Sequence, residues 1–203
     1  MPNICTLTLG RYRTNCYLVW GEASNTCAVI DPGYEPDVIL AKVKELNLTV
    51  DTILLTHGHF DHVGGVQEIV EKTGCKLWMS ESDYSRSPNP VNARLFPLAN
   101  RDFSDMHFCV EGEIITAGGV NFDVLATPGH TQGSVCYLCD GVLFSGDTLF
   151  AGSCGRTDLP GGSPKRMRSS LARLGALEGE LAVCPGHGEA TTLAHEKQCN
   201  PYF

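Results

Sequence analysis

The sequence predicts an α/β fold in which sheets are covered by helices, and three observations carry that reading. Short apolar, β-branched runs of strand character alternate with stretches of helical spacing in both halves of the chain. No low-complexity linker divides the 203 residues, a length that supports one sizeable core, so residues 1–203 are expected to form a single domain. Four of the apolar runs end in tight turns that each deliver a histidine or an aspartate, as expected where strand ends present a site along one rim.

Residues 4–9, 15–20 and 26–30 are separated by polar or glycine turns and read as an opening antiparallel meander. After Asp31-Pro32-Gly33, residues 35–46 place Val38, Ile39, Leu40, Val43 and Leu46 at helical spacing. Residues 52–55 form a strand whose exit is a histidine-rich stretch. Residues 63–72 form a helix with Val66, Ile69 and Val70 on one side and Gly74 as its stop, and residues 76–79 return as a strand. Residues 83–105 change character, with Pro88, Pro90 and Pro97 among scattered apolar positions; they read as a long loop or a pair of short helical turns, placed to act as a lid. Strands resume at 120–126, 134–138 and 142–144. Ser163-Pro164, a capping residue followed by proline in the first turn, starts a helix over 165–177 whose Met167, Leu171 and Leu174 share a face. A strand over 181–184 and a helix over 192–199 complete the reading.

Fifteen basic and 23 acidic residues give a formal charge of −8, which argues against a nucleic-acid or membrane-surface role. Ten cysteines would suggest disulfides in a small secreted protein, yet Met1-Pro2-Asn3-Ile4-Cys5 has neither the charged nor the apolar segment of a secretion signal. Free thiols in a cytoplasmic protein are expected. No apolar stretch approaches the roughly 20 residues of a membrane span. Cys136-x-x-Cys139 lies in an alternating run that sends residues three apart to opposite faces, so it is read as neither a redox nor a zinc pair.

Thr56-His57-Gly58-His59-Phe60-Asp61-His62 sets three imidazoles and a carboxylate at the end of the apolar run Ile53-Leu54-Leu55. Groups that desolvate so poorly need a cation to neutralise the carboxylate and accept the imidazole lone pairs. Gly58 allows a sharp turn, so His57 and His59 can face one point while Asp61 and His62 face a neighbouring one, which suggests two metals. The other strand-end turns deliver His130, Asp147 and His187. Five histidines and two aspartates divide into two nitrogen-rich sets with one carboxylate left to bridge. Imidazole with carboxylate suits Zn²⁺, Fe²⁺ or Mn²⁺, zinc being favoured, and incomplete protein coordination marks a catalytic site. Two such metals would hold a hydroxide whose parent water has a pKa lowered toward roughly 7. Asp31 ends the run Ala28-Val29-Ile30 and is read either as an outer acceptor that holds a ligand loop or as a plain Asp-Pro-Gly turn. His107 and His195 follow no such strand exit and are read as surface or packing residues.

With these residues in place, the chain resembles the metallo-β-lactamase fold superfamily over nearly its whole length. That resemblance implies an αββα sandwich, a first metal on His57, His59 and His130, a second on Asp61, His62 and His187, and Asp147 as the bridge. Asp61 is also taken as the catalytic carboxylate. His62, directly after the motif's aspartate, argues against β-lactamase activity. Residues 150–158, Phe-Ala-Gly-Ser-Cys-Gly-Arg-Thr-Asp, resemble the glyoxalase II branch and the related persulfide dioxygenases, and imply that Arg156 binds a glutathione-type substrate. Full-length glyoxalase II carries an additional helical C-terminal domain, and the resemblance does not extend to it. The implied function is hydrolysis of small thioesters such as S-2-hydroxyacylglutathione by a metal-bridging hydroxide. A non-haem iron persulfide dioxygenase using His57, His130 and Asp147 is the alternative, followed by a lactonase or phosphodiesterase, and last by a metal-stabilised binding module.

Overall fold

Apolar side chains that alternate along the strands require two covered faces, and the computed structural model supplies them as four layers. It describes residues 1–85 and 89–203, so Pro88 of the expected lid lies outside the described residues. In chain order the first half comprises β1 (Asn3–Leu9), β2 (Thr14–Trp20), β3 (Thr26–Ile30), α1 (Pro36–Glu45), β4 (Thr49–Leu54), α2 (Phe60–Val63), α3 (Val66–Thr73), β5 (Lys76–Met79), α4 (Glu81–Tyr84), α5 (Pro90–Leu95) and β6 (Met106–Phe108). These six strands form one sheet in sequence order, antiparallel from β1 to β3 and parallel from β3 to β6. The second half comprises β7 (Ile114–Ala117), β8 (Val120–Ala126), β9 (Val135–Cys139), β10 (Val142–Gly146), the small hairpin β11 (Leu149–Phe150) and β12 (Ser153–Cys154), α6 (Pro164–Gly175), β13 (Ala182–Pro185), β14 (Thr191–Thr192) and α7 (Leu193–Cys199). Its sheet runs β14-β13-β10-β9-β8-β7.

Strand periodicity assigns each side chain to a layer. In β3, Val29 faces α1 and α3 together with Ile39, Val43, Val66 and Ile69, whereas Ala28 and Ile30 face the other sheet. In β9, Tyr137 and Cys139 join the core between the sheets, while Cys136 packs with Met167, Leu171 and Leu174 of α6 and Leu193 of α7. The result is the expected αββα sandwich, and it separates Cys136 from Cys139 as the alternation required. All ten cysteines are free. Among the described residues, no helix is long and apolar enough to cross a membrane.

The expected caps form: Ser163 Oγ accepts from Arg166 N, and Gly74 ends α3 at φ 67° with its N–H bonded to Val70 O. One helix departs from its expected bounds. The stretch 63–72 is part of two helices, α2 beginning at Phe60 and α3 at Val66, broken at Gly64-Gly65. The cause is close backbone packing: a Cβ on Gly64 would lie 2.2 Å from Gly33 O, and one on Gly33 would lie 1.8 Å from Asp61 O. The Asp31-Pro32-Gly33 turn therefore presses directly on the histidine stretch. Strands β6 and β7 escape sequence reading because each shows at most four residues of weak pattern.

The two sheets are tied together where they carry the chemistry. Val135 N donates to Thr56 O at 2.8 Å and Asn15 N to Gly186 O at 2.8 Å, while a bond from Gly186 N to Gly146 O at 2.8 Å joins two strand ends of the second sheet. Tyr137, fully buried between the sheets, donates its hydroxyl to Leu55 O at 2.8 Å, and Tyr17 donates to Pro185 O at 2.6 Å. The loops after β4, β8, β10 and β13 thus share one hydrogen-bonded rim.

Candidate metal centre

That rim gathers all seven predicted ligands. His57, His59 and His130 offer ligand atoms within 4.8 Å of one another, and so do Asp61, His62 and His187. Asp147 stands between the two sets: its Oδ2 lies 3.4 Å from His130 Nε2 and 3.6 Å from His187 Nε2, and its Oδ1 lies 3.4 Å from His62 Nε2. His62 and His187 approach at 3.2 Å between their Nε2 atoms, and His59 Nδ1 approaches His130 Nε2 at 2.8 Å. Gly186 supplies the space, since a Cβ there would sit 2.3 Å from Asp147 Oδ1 and 2.7 Å from His62 Cε1.

Hydrogen bonds behind the site decide which nitrogens face it. His130 Nδ1 has Arg156 O at 2.7 Å, His187 Nδ1 has Tyr12 O at 3.1 Å, and His62 Nδ1 has Asp31 Oδ2 at 2.9 Å. Each partner is an acceptor, so each Nδ1 carries hydrogen and, in the neutral ring, leaves the Nε2 lone pair pointing inward. His57 Nδ1 meets Thr56 Oγ1 at 3.1 Å, and that hydroxyl already donates to Asp31 Oδ2 at 2.6 Å, which fixes the same tautomer. Asp31, 1% exposed and at φ 51°, also accepts Thr56 N at 2.8 Å. Asp31, His57 and His62 form a third group at ligand distance. With both its oxygens already accepting, however, Asp31 serves to aim His57 and His62.

The electrostatics call for a cation. Burial, reinforced by His62, His130 and His59, holds His57 well below the ordinary imidazole range, and burial with His130 takes His59 down to about 3. Burial would lift Asp147 and Asp61, but the surrounding imidazoles, His62 for Asp147 and His187 for Asp61, hold both below the usual carboxylate range. Burial opposes protonation of His62 and His187 as well; Asp147 and Asp31 outweigh it at His62, Asp61 and Asp147 at His187, and both are raised. In the metal-free chain a proton thus does part of a cation's work. His57 Nε2, His59 Nε2 and Asp147 Oδ1 are buried without a hydrogen-bond partner among the described residues. Orphaned acceptors of this kind around two carboxylates fit bound divalent metals.

Comparison with known proteins agrees with the donor set. Residues 9–187 match the Metallo-beta-lactamase superfamily. The chain belongs to that superfamily. This member is 38% identical to hydroxyacylglutathione hydrolase GloC of Haemophilus influenzae, over 99% of the chain and 98% of that protein. Among solved structures it resembles the B3 metallo-beta-lactamase BLEG-1 (TM-score 0.87, 31% identity, 98% of this chain and 99% of that one). It also resembles ETHE1 from Myxococcus xanthus (TM-score 0.83, 32% identity, 98% and 83%). The superfamily, the His/Asp clusters and these relatives point to a metalloenzyme holding divalent metals.

A cleft of about 530 Å³ opens onto the site, lined by Tyr12, Phe60, Leu95, His130, Asp147 and His187 among others. Arg156 lines it, but its side chain is 61% exposed and its guanidinium is held by Asp158 in two contacts of 2.7 Å. Its backbone carbonyl, not foreseen from sequence, is what touches the centre. Asp83, expected to open a lid, is instead fully buried scaffold. It accepts Gly58 N at 3.0 Å, Thr131 Oγ1 at 2.7 Å and Gly133 N at 3.1 Å, joining the histidine stretch to the His130 loop. No motif signals it; only its place directly after a strand and the cap Ser80 hints at order. His107 stacks on Trp78 with centroids 4.6 Å apart, and His195 lies on the exposed side of α7; neither joins the site.

Proposed function

We propose that this protein is a binuclear metallohydrolase of small thioesters, S-2-hydroxyacylglutathiones or their kin. The observation that carries the reading is Asp147, one carboxylate within 3.6 Å of imidazole nitrogens from both ligand sets, at the floor of an open cleft. GloC, matched end to end, supports the substrate class. His57, His59 and His130 would hold one metal, Asp61, His62 and His187 the other, with Asp147 between; zinc is the favoured metal, iron or manganese the alternatives. When bound, the metals supply Lewis acidity and bring a coordinated water's pKa toward roughly 7.

The chain's own residues do the rest. Asp31, Thr56, Tyr12 O and Arg156 O hold the imidazoles in one tautomer and one orientation. Asp61, ionised and facing the cleft, orients the attacking water, whose proton passes to solvent near neutral pH. The water oxygen adds to the acyl carbon, the C–S bond breaks, and the thiolate leaves with the electron pair. Because a thiolate is a stable leaving group, no strong acid is required. Arg156 pairs with a carboxylate of the substrate in exchange for Asp158. Ten free thiols are compatible with the expected cytoplasmic setting.

Likeness to ETHE1 favours the persulfide dioxygenase as the second reading, and likeness to BLEG-1 makes a β-lactam the third substrate to assay. Lactoylglutathione, glutathione persulfide and a β-lactam, given in parallel to protein of measured metal content, separate them. Thioester hydrolysis without oxygen uptake is expected. Oxygen consumed in step with persulfide, with the thioester untouched, would overturn the proposal.

A further inference from the structure

Two routes lead away from the metal centre, and they differ in charge, one carrying a single arginine and the other two. One is a groove of about 710 Å³ that shares Tyr12, Phe60, Leu95 and Leu159 with the cleft and continues past Val91 and Pro160. Among the described residues, its walls are apolar except for Arg94 and the Tyr12 hydroxyl. Tyr12 and Phe60 pack edge to face with centroids 5.2 Å apart, and Tyr12 and Val91 remain 53% and 54% exposed. The other is a cavity of about 690 Å³ that shares only Cys154 and Arg156 with the cleft; it too has apolar walls, with Met167, Leu171 and Phe203, but it adds a second arginine, Arg168 from α6.

A thioester has two arms of unlike character. The glutathione arm carries two carboxylates and suits the route with two arginines, whereas water-exposed apolar side chains along the first route gain from covering by an apolar chain. Resting on the thioesterase reading, we propose that the groove of Tyr12, Phe60, Val91, Leu95 and Leu159 is an acyl subsite, and that the enzyme prefers thioesters of extended apolar acyl groups over the short hydroxyacyl group. The groove lies outside the reacting centre, so its contribution is uniform binding, expressed in KM and not in kcat.

S-acylglutathiones from acetyl through butanoyl and hexanoyl to octanoyl, kept below micelle formation and assayed beside lactoylglutathione on the fully metallated protein, test this. KM is expected to fall at least about ten-fold across the series with kcat steady, since each methylene removed from water adds binding. Leu159→Asp should flatten the series, and Val91→Asp, on a different element, should do so independently. A KM that is constant or rises with length in the wild-type protein, or a slope retained in both folded variants, overturns the subsite while leaving the thioesterase intact. Failure to hydrolyse any member of the series removes both.

Discussion

Asp31 Oδ2 receives His62 Nδ1 at 2.9 Å, and neither residue is more than 1% exposed. The bond joins the end of β3 to the histidine stretch and turns His62 Nε2 toward Asp147. Asp31→Asn keeps the size and tolerates the positive φ, but it removes the charge that completes the contact. Metal affinity should fall about 10- to 100-fold, read by competition with a chelator. Wild-type affinity in the folded variant would show that the aspartate only makes a turn.

Asp83 carries a different burden, because its oxygens satisfy two backbone amides and one hydroxyl from two ligand-bearing loops. Asp83→Ala leaves those donors buried and unpaired, a loss of about 3 kcal/mol. Urea unfolding of the metal-free protein should report it. Asp83→Asn, which can still accept, should recover part of the loss.

The His62 and His187 protons give metal binding a pH dependence of known sign. Both groups are raised in the metal-free chain, so they favour the fold below about pH 6.5, and that contribution is lost as pH rises through the folded values. Asp61 and Asp147 are held low, so their share is present above about pH 4 and disappears in acid. His57 and His59, held low, act against the fold as pH falls below about 6.5 and offset the contribution of His62 and His187, while bound metal, which displaces the imidazole protons, gains as pH rises. The difference in Tm between zinc-loaded and chelator-treated protein should widen from pH 6 to pH 8. A constant difference would show that no proton is exchanged.

Arg156 and Asp158 form an exposed pair, with the aspartate lowered to about 2 by its partner. Their substitutions should act in opposite directions on an anionic thioester. Arg156→Ala should raise KM several-fold, while Asp158→Asn, which frees the guanidinium, should lower it; a neutral thioester should respond to neither. Equal effects on both substrates would place the pair in loop structure alone.

Most of the candidate site could be read from the chain because its proposed ligands follow apolar runs at strand ends, where periodicity and turn residues are both strong signals. His57, His59, Asp61, His62, His130, Asp147 and His187 all arrive on one rim for that reason. The supporting atoms were not legible. The carbonyls of Tyr12 and Arg156 are backbone groups with no residue type to mark them, and Asp83 sits 25 residues from the glycine it holds. The helix break at Gly64-Gly65 was hidden because its cause, contact with Gly33, is tertiary.

The carbonyl of Arg156, which holds His130, and its guanidinium, which is paired with Asp158, belong to one turn at the edge of the cleft. Whatever pulls that turn toward the cleft also presses on a ligand imidazole. If Arg156 reads the substrate and His130 holds metal as proposed, substrate and metal become heterotropic effectors of one another, and reciprocity demands that a substrate which tightens metal retention by some factor be itself retained more tightly, by the same factor, on the metallated enzyme. Scarcity of metal would then be felt first as a loss of substrate affinity, and a well-supplied substrate would protect the enzyme from demetallation.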